Sequence, residues 1–563
     1  MNIYELFTRQ VEQRPGAAAI TEWCKNRPVT LSFLELENAA ARAAAMLKAG
    51  GLKAGDPVLV FVPMSIDLYV ALLAIFRLRL VAVFLDPSAG RRHIERSCGI
   101  FPPKALISTP KALLLRCISP ALRRIPVSFA TGRLRLPGAR PWGRWNRYAP
   151  NADLAPCDPD TPALVTFTSG STGMPKTAVR SHGLLAAQQQ ILAAELKTSP
   201  GDLVLSGLPI FVLSNLGSGA ANLVPGCDLS RPGAVDAAVI VERVRQLGVT
   251  CIQASPAFLE KAVDHCQSHG VQLSTVRRIC TGGAPVFPRL LDRIRAAAPQ
   301  ADVTAVYGST EAEPIACLPL ANLRPEDRTA MDAGGGLLAG RPVAAARLRV
   351  LPDRWGTPIG PFRESEFNRL CLGPGQAGEI VVSGPHVLKG YLRGDGDRET
   401  KFKVNGETWH RTGDAGCVDA DGALWLLGRC AARIRDRQGV LYPFTVETAA
   451  SSFAAVRRSA FVQAGGRRTL VVEPAAGSTT AELGRLKSKI CWAQIERVLV
   501  LPRIPVDRRH HAKVDYPALK HVLGRMERNP PPPPLPKGVE GILGSTSSEA
   551  GPTTVLVRLS GRC

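Results

Sequence analysis

A chain of 563 residues is too long for a single hydrophobic core, and roughly two to four domains are expected. Its 45% apolar content excludes a disordered or fibrous chain, and its fourteen scattered cysteines, with no C-x-x-C pair and no Cys/His cluster, speak against a disulfide scaffold or a zinc protein and suit a reduced, cytoplasmic setting. The net charge of +23 points to anionic partners; because the arginines are spread along the whole chain with no aromatic-interleaved basic stripe, nucleotides or an anionic surface are expected rather than nucleic acid.

The chain opens with Met1-Asn2-Ile3-Tyr4-Glu5-Leu6-Phe7, which reads as an amphipathic helix and not as a basic leader. The most apolar stretch, Pro57 to Asp86, contains Asp67, Arg77 and Arg79, and its charge-free pieces fall short of the roughly 18–20 residues that cross a membrane. It reads instead as a buried β-α-β unit: strand Val58–Val62, helix Ile66–Leu80, strand Val81–Leu85. The next apolar run, Ala163–Phe167, leads into Thr168-Ser169-Gly170-Ser171-Thr172-Gly173-Met174-Pro175-Lys176. Glycines let successive N–H groups turn toward one point, hydroxyls add donors, and Lys176 supplies a point charge, which together suit a polyphosphate. The contiguous Gly-Lys-Ser/Thr of the P-loop is missing, and a Ser/Gly-rich surface turn is the plain alternative.

From about 30 to 430, apolar runs (Leu203–Leu208, Val249–Gln253, Arg278–Thr281, Val303–Val306) alternate with helical patterns (Val235–Leu247, Pro256–Ser268, Pro288–Ala298), which predicts α/β layers with mostly parallel sheets. After Gly334-Gly335-Gly336, the runs Ala346–Leu351, Gly378–Ser383 and Ala423–Leu427 suggest a smaller β-rich subdomain that closes the large one. Beyond Gly428 a small α+β unit is expected, with strands at Arg433–Arg435, Ser459–Gln463, Thr469–Glu473 and Arg497–Leu501 and helices near Thr479–Ala493 and Pro517–Met526. The boundaries read as a large domain over 1–427, a hinge at 428–432, a small C-terminal domain over 433–526, and a Pro/Gly/Ser-rich disordered tail over 527–563.

Further motifs lie at long range beyond the glycine-rich loop. Val306-Tyr307-Gly308-Ser309-Thr310-Glu311 comes after a strand, and Glu311 is either a carboxylate for Mg²⁺ between phosphates or the dipole-matched partner of a helix N-cap at Thr310. Gly390-Tyr391-Leu392 is a short motif with no evident chemistry of its own. His410-Arg411-Thr412-Gly413-Asp414 offers a carboxylate for two ribose hydroxyls, and Gly428-Arg429 lies at the domain junction.

In this order and spacing the segments resemble the adenylate-forming superfamily of acyl-CoA synthetases, peptide-synthetase adenylation domains and luciferases, over about residues 5 to 525. Within it, Phe84–Arg92, Leu208-Pro209-Ile210-Phe211, Thr281-Gly282-Gly283-Ala284-Pro285-Val286, Tyr307–Pro314 and Pro505–Val514 look most like bacterial olefin β-lactone synthetases and related fatty-acid ligases. The resemblance implies a large N-terminal domain, a small mobile C-terminal one, and ATP-dependent activation of a carboxylic acid with release of pyrophosphate. It assigns Thr168–Gly173 and Lys176 to the β- and γ-phosphates, Thr310 to the α-phosphate, Glu311 to Mg²⁺, Gly283, Ala284 and Tyr307 to adenine, and Asp414 and Arg429 to ribose. Phe211, Val212, Gly282 and Gly308 fall at the acid pocket, and Lys513 at the lysine that bridges carboxylate and α-phosphate.

One departure stands out. Ala431, with Ala432 next to it, occupies the position where the family usually has an aspartate or lysine pivot, and Gly439 falls one residue late. That puts coenzyme A in doubt as the acyl acceptor and favours capture by a 3-hydroxyl of the bound acid, giving a β-lactone; the alternatives are a fatty acyl-CoA ligase and a non-catalytic adenylate binder. Contact with a membrane surface or a partner enzyme, and the oligomeric state, stay open.

Overall fold

The computed structural model describes residues 2–528 apart from 25–26, 86–89, 133, 135, 170–174, 230 and 508–511, and gives only the backbone of 168, 169, 175, 480 and 481. Gly170, Ser171, Thr172 and Gly173 therefore lie outside the described residues, as does the expected tail from 529 on.

The apolar stretch near the N-terminus folds as strand Pro57–Phe61, helix Ile66–Arg77 and strand Val81–Phe84, with the two strands parallel. Among the described residues no helix is long and apolar enough to cross a membrane. The two strands sit inside a seven-stranded sheet ordered Arg140–Pro141, Val127–Ala130, Ala105–Ser108, Pro57–Phe61, Val81–Phe84, Pro162–Ser169, Pro175–Ser181. All its neighbours are parallel except the last pair, a hairpin that flanks the glycine-rich segment. In open α/β sheets ligands gather at the carboxyl ends of strands, and the loop after Pro162–Ser169 is such an end.

A second sheet is parallel through Ala18–Cys24, Ala221–Val224, Leu203–Ser206, Cys251–Ala254, Arg278–Gly282 and Asp302–Ser309. Its strands are short and covered by helices such as Ala237–Leu247, Pro256–His269 and Pro288–Ala297, so they read as apolar runs without alternation. Proline at the first turn starts the latter two helices, and Gly248 at φ +65° ends the first.

The sheet does not stop where the parallel part does. Ala312–Pro319 turns back antiparallel, Leu337–Pro342 pairs with it, and Leu424–Arg429, Glu407–Val418, Gly378–Ser383 and Arg347–Leu351 continue the ribbon. The β-rich region expected as a separate closing subdomain is thus continuous in hydrogen bonding with the large sheet. Within it Arg411 and Glu379 form a bidentate ion pair at 2.7 Å, with both side chains 1% exposed. The remaining guanidinium protons go to the carbonyls of Arg354, Thr357 and Glu399, so the pair is fully hydrogen-bonded and fixes the strand that carries His410 and Asp414.

The C-terminal unit is a three-stranded sheet of Val456–Ala464, Arg467–Pro474 and Arg497–Val500, with helices Pro443–Ser451, Thr480–Lys489 and Tyr516–Arg528 and apolar clusters on both faces. The segment joining it to the large sheet is a short 3₁₀ turn, Cys430–Ala432. Asp353 of the large sheet region anchors the chain just beyond this turn: it accepts from Arg433 at 2.8 Å and from the Tyr442 hydroxyl at 2.9 Å. Gly439, at φ +106°, closes the hairpin of Ile434–Asp436 with Gly439–Leu441.

The basic charge is less evenly spread than expected. Between residues 91 and 147, thirteen Lys and Arg stand against the single carboxylate of Glu95, which is taken up by the Ser119 hydroxyl at 2.5 Å and the Ala121 N–H.

Candidate active site

The strand Asp302–Ser309 and the strand Ala312–Pro319 pair from Thr304↔Pro319 to Ser309↔Ala312, which leaves Thr310 and Glu311 as a two-residue turn. No helix begins there, so the N-cap alternative for Thr310 and Glu311 is overturned: cross-strand pairing decides the conformation. The turn is held by Arg180, which donates to the Thr310 carbonyl at 3.1 Å, and by Leu388, whose N–H donates to the Glu311 carbonyl at 2.7 Å.

Glu311 is the centre of a charged cluster. The Tyr391 hydroxyl donates to its Oε1 at 2.6 Å, and Lys401 and His410 stand nearby. Burial opposes charge on Glu311, yet these neighbours outweigh it and hold the carboxyl well below the usual carboxylate range. Burial, reinforced by Lys401, pushes His410 down to about 3, against the pull of Glu311. Burial also pushes Lys401 down to about 8, against the pull of Glu311 and Asp397; its ammonium donates to the Leu388 carbonyl. Lys176, on the strand Pro175–Ser181, pairs with Glu399 at 3.0 Å, and both Lys176 and Lys401 lie 5.8 Å from the Tyr391 ring centre. Lys401 and Glu399 escape a sequence reading because Arg-Glu-Thr-Lys looks like a solvated charge run. Tyr391 gains its role only from the turn that it meets in space.

A second group forms beside it. The Tyr307 hydroxyl donates to Asp414 Oδ2 at 2.8 Å, and Arg429 Nε lies 3.3 Å from Asp414 Oδ1. The strands carrying Asp414 and Arg429 place the two opposite each other in register, which explains how residues fifteen apart meet. A carboxylate has about four acceptor sites, so both oxygens keep room for further donors.

Gly282 and Gly283 lie at the end of Arg278–Gly282. A Cβ on Gly282 would stand 2.6 Å from the Val306 carbonyl, and Gly283 adopts φ +84°, so the close approach of the two strands and the turn after them both require glycine. Ala284 comes next in the same turn, half-buried. Phe211 and Gly282 line a small cavity of about 10 Å³, roughly space for one water. Gly308 abuts it: its Cβ position is 3.3 Å from the Glu313 Cβ. Val212, next to Phe211 in the helix Pro209–Gly217, is fully buried in the N-terminal core instead. The backbones of Thr168 and Ser169 close the strand before the glycine-rich segment.

Lys513 sits in a loop pinned at its stem. Its N–H donates to Asp507 Oδ1 at 3.0 Å, its carbonyl accepts from the Asp507 N–H at 2.8 Å, and Val506 bridges to Val514. Three residues on, the Tyr516 hydroxyl donates to Glu447 Oε1 at 2.7 Å, where the Phe461 N–H also donates at 2.8 Å. Burial pushes the Glu447 carboxyl up to about 7 from its ordinary 4.5, against both hydrogen bonds. A raised carboxyl stabilises the fold below its unfolded pKa, and that stability is lost as pH rises through the folded value. Glu447→Gln should therefore flatten the pH dependence, gaining on the wild type by about 3 kcal/mol between pH 4.5 and 7 as read by denaturant titration at pH 5 and pH 8. A constant difference across that range rejects the assignment.

Among the described residues no three His, Cys, Asp or Glu side chains form a metal cage. Mg²⁺ takes one or two protein carboxylates and completes its shell with phosphate and water, so a Glu311 carboxylate kept anionic fits that ion as a companion of bound polyphosphate.

Known proteins resemble this chain over most of its length. The family described as AMP-binding enzyme matches residues 7–392. An olefin beta-lactone synthetase of Stenotrophomonas maltophilia (strain K279a) is 30% identical, over 86% of this chain and 90% of the relative, and one from Xanthomonas campestris pv. campestris is 31% identical over 86% and 89%. An indoleacetate–CoA ligase of Aromatoleum aromaticum is 30% identical over 79% of this chain and 82% of its own. The anthranilate CoA ligase AuaEII, solved with anthranoyl-AMP, superposes with a TM-score of 0.79 at 18% identity over 94% of this chain and 98% of that one; ATP-bound MatB from Rhodopseudomonas palustris gives 0.75 at 22% over 93% and 99%. A family match over most of the chain, near-full-length relatives and a shared fold place this protein among the AMP-binding enzymes, as an adenylate-forming ligase.

Proposed function

We propose that the chain uses ATP to convert a fatty 3-hydroxy acid into its acyl-adenylate and then closes that adenylate to a β-lactone and AMP. The observation that carries the first step is that Lys176 from one sheet, Glu311 from a turn of the other, and the paired Asp414 and Arg429 come together although the three segments are far apart in sequence. Lys176, with the Thr168–Gly173 segment, would hold the β- and γ-phosphates, Thr310 the α-phosphate, Gly283, Ala284 and Tyr307 the adenine, and Asp414 and Arg429 the ribose. Mg²⁺, held through Glu311, would supply charge neutralisation toward the leaving pyrophosphate. Polyphosphate would take the place of Glu399 on Lys176; Glu399, with a side chain 43% exposed, has solvent to turn into.

The second step is supported by two near-full-length relatives named olefin beta-lactone synthetase and by Ala431 in place of a polar pivot. An internal hydroxyl needs no second substrate, and tethering removes the entropy cost of bringing one in. The rival reading, an acyl-CoA ligase, is favoured by relatives named as ligases of coenzyme A. A 2-alkyl-3-hydroxy acid with ATP and Mg²⁺ and without coenzyme A should yield AMP and a β-lactone. AMP release that requires coenzyme A and consumes it stoichiometrically overturns the lactone reading and establishes the ligase.

A further inference from the structure

The small cavity beside Gly282 is not uniformly apolar. Leu208, Phe211, Cys280 and Val306 supply hydrocarbon, but Gln253, Thr281 and Glu313 also line it, and the Gln253 amide is already paired with Asn215. Thr281 is 2% exposed, and its hydroxyl has no hydrogen-bond partner among the described residues. Buried hydroxyls are nearly always paired, and an orphan at a cavity wall is open to a water or to a polar atom of a ligand. Glu313 enters from the neighbouring strand, packed so closely on Gly308 that a Cβ there would lie 3.2 Å from the Glu313 Cα. The Gln188 amide, itself 4% exposed, donates to Glu313 Oε2 at 3.4 Å.

Facing only the CH₂ groups of a bound acid, a carboxylate beside this water-sized space gains no donor from the ligand in exchange for the water displaced. A hydroxyl on the acid returns one. Glu313 is also three residues beyond Thr310, the residue proposed for the α-phosphate, on the strand that begins at the Thr310–Glu311 turn. Resting on the lactone reading, we propose that Glu313 and Thr281 form the subsite for the 3-hydroxyl of the substrate, and that Glu313 is the general base for ring closure. Glu313 takes the hydroxyl proton as the 3-oxygen bonds to the acyl carbon; the bond from that carbon to the bridging phosphate oxygen breaks, and AMP leaves with the electron pair. The proton on Glu313 then passes to water, and no further reactant is needed.

The test compares wild type, Glu313→Gln, Glu313→Asp and Thr281→Val on a 3-hydroxy acid and its 3-deoxy analogue, measuring pyrophosphate, residual acyl-adenylate and lactone in single turnovers. General bases contribute typically about 10²–10⁴-fold, so the lactone-to-pyrophosphate ratio should fall at least about 100-fold in Glu313→Gln, with acyl-adenylate accumulating. Glu313→Asp, which keeps the charge, should recover part of that ratio and serves if the amide variant does not fold. The wild-type preference for the hydroxy acid in pyrophosphate release should shrink in Glu313→Gln and Thr281→Val. An unchanged ratio with a lactone-forming wild type overturns the role of Glu313 and leaves the lactone reading standing. A wild type that forms adenylate but no lactone overturns the lactone reading and the base together, and an equal rate on both acids then removes the hydroxyl subsite as well.

Discussion

Lys513→Ala should abolish adenylate formation, with pyrophosphate release down by at least about 100-fold and ATP binding nearly intact. Two anions, the carboxylate and the α-phosphate, must approach each other in the first half-reaction. A fixed ammonium between them stabilises the transition state more than either ground state, and deleting one such positioned group costs about 10²–10³ in rate. The structure holds the backbone of the lysine in place. Both backbone groups of Lys513 are engaged by Asp507, the Asp515 N–H donates to the Pro505 carbonyl at 3.0 Å, and Tyr516 is tied to Glu447 in the first helix after the domain junction. Tyr516 is also within electrostatic reach of Arg429. Lys513→Arg should restore little, because a guanidinium is a broad planar fork rather than a compact point charge. Pyrophosphate release and nucleotide titration on the two variants check this, and release at the wild-type rate removes Lys513 from the chemistry.

Much of this was legible in the sequence where local pattern and tertiary role coincide. Short apolar runs set between amphipathic helices marked the parallel strands Pro57–Phe61, Val81–Phe84 and Arg278–Gly282 nearly to the residue, since a strand buried on both faces has nowhere to place polar side chains. The C-terminal strands emerged for the same reason. Long-range pairing was hidden. The bridge from the parallel sheet into the β-rich region depends on Leu337–Pro342 pairing on both edges, and nothing in that segment announces two partners. Thr310-Glu311 satisfies the local rules of a helix start, and only its strand partners make it a turn. Lys401 is the sharpest case. The neighbouring Lys403 is exposed as a lysine should be, whereas Lys401, on the same edge strand, is 9% exposed because Tyr391 and the Glu311 turn close over it. Asp414 and Arg429 were chosen from motifs, but that they face each other is a consequence of strand register alone.

The pair of Glu311 and Lys401 gives the second large effect and a way to separate chemistry from folding. In Glu311→Gln the amide oxygen can still accept from Tyr391, so the hydrogen bond at the turn survives while the negative charge goes. Activity should fall at least about 100-fold, because the carboxylate that would hold Mg²⁺ against the charge developing toward the leaving pyrophosphate is gone. Residual activity should need more Mg²⁺. The same variant strands Lys401, already pushed down to about 8 by burial, without its main counter-charge. Taking the counter-charge from a buried lysine is destabilising, less whatever the lysine recovers by giving up its proton. Adding Lys401→Met to Glu311→Gln fills the same space with an uncharged chain and should return most of the lost stability. It should return none of the lost activity, since no carboxylate is restored. Denaturant midpoints and magnesium-dependent pyrophosphate release, measured on the single and double variants, check both halves. If the double variant regained activity along with stability, Glu311 would be a structural anion and not a metal ligand.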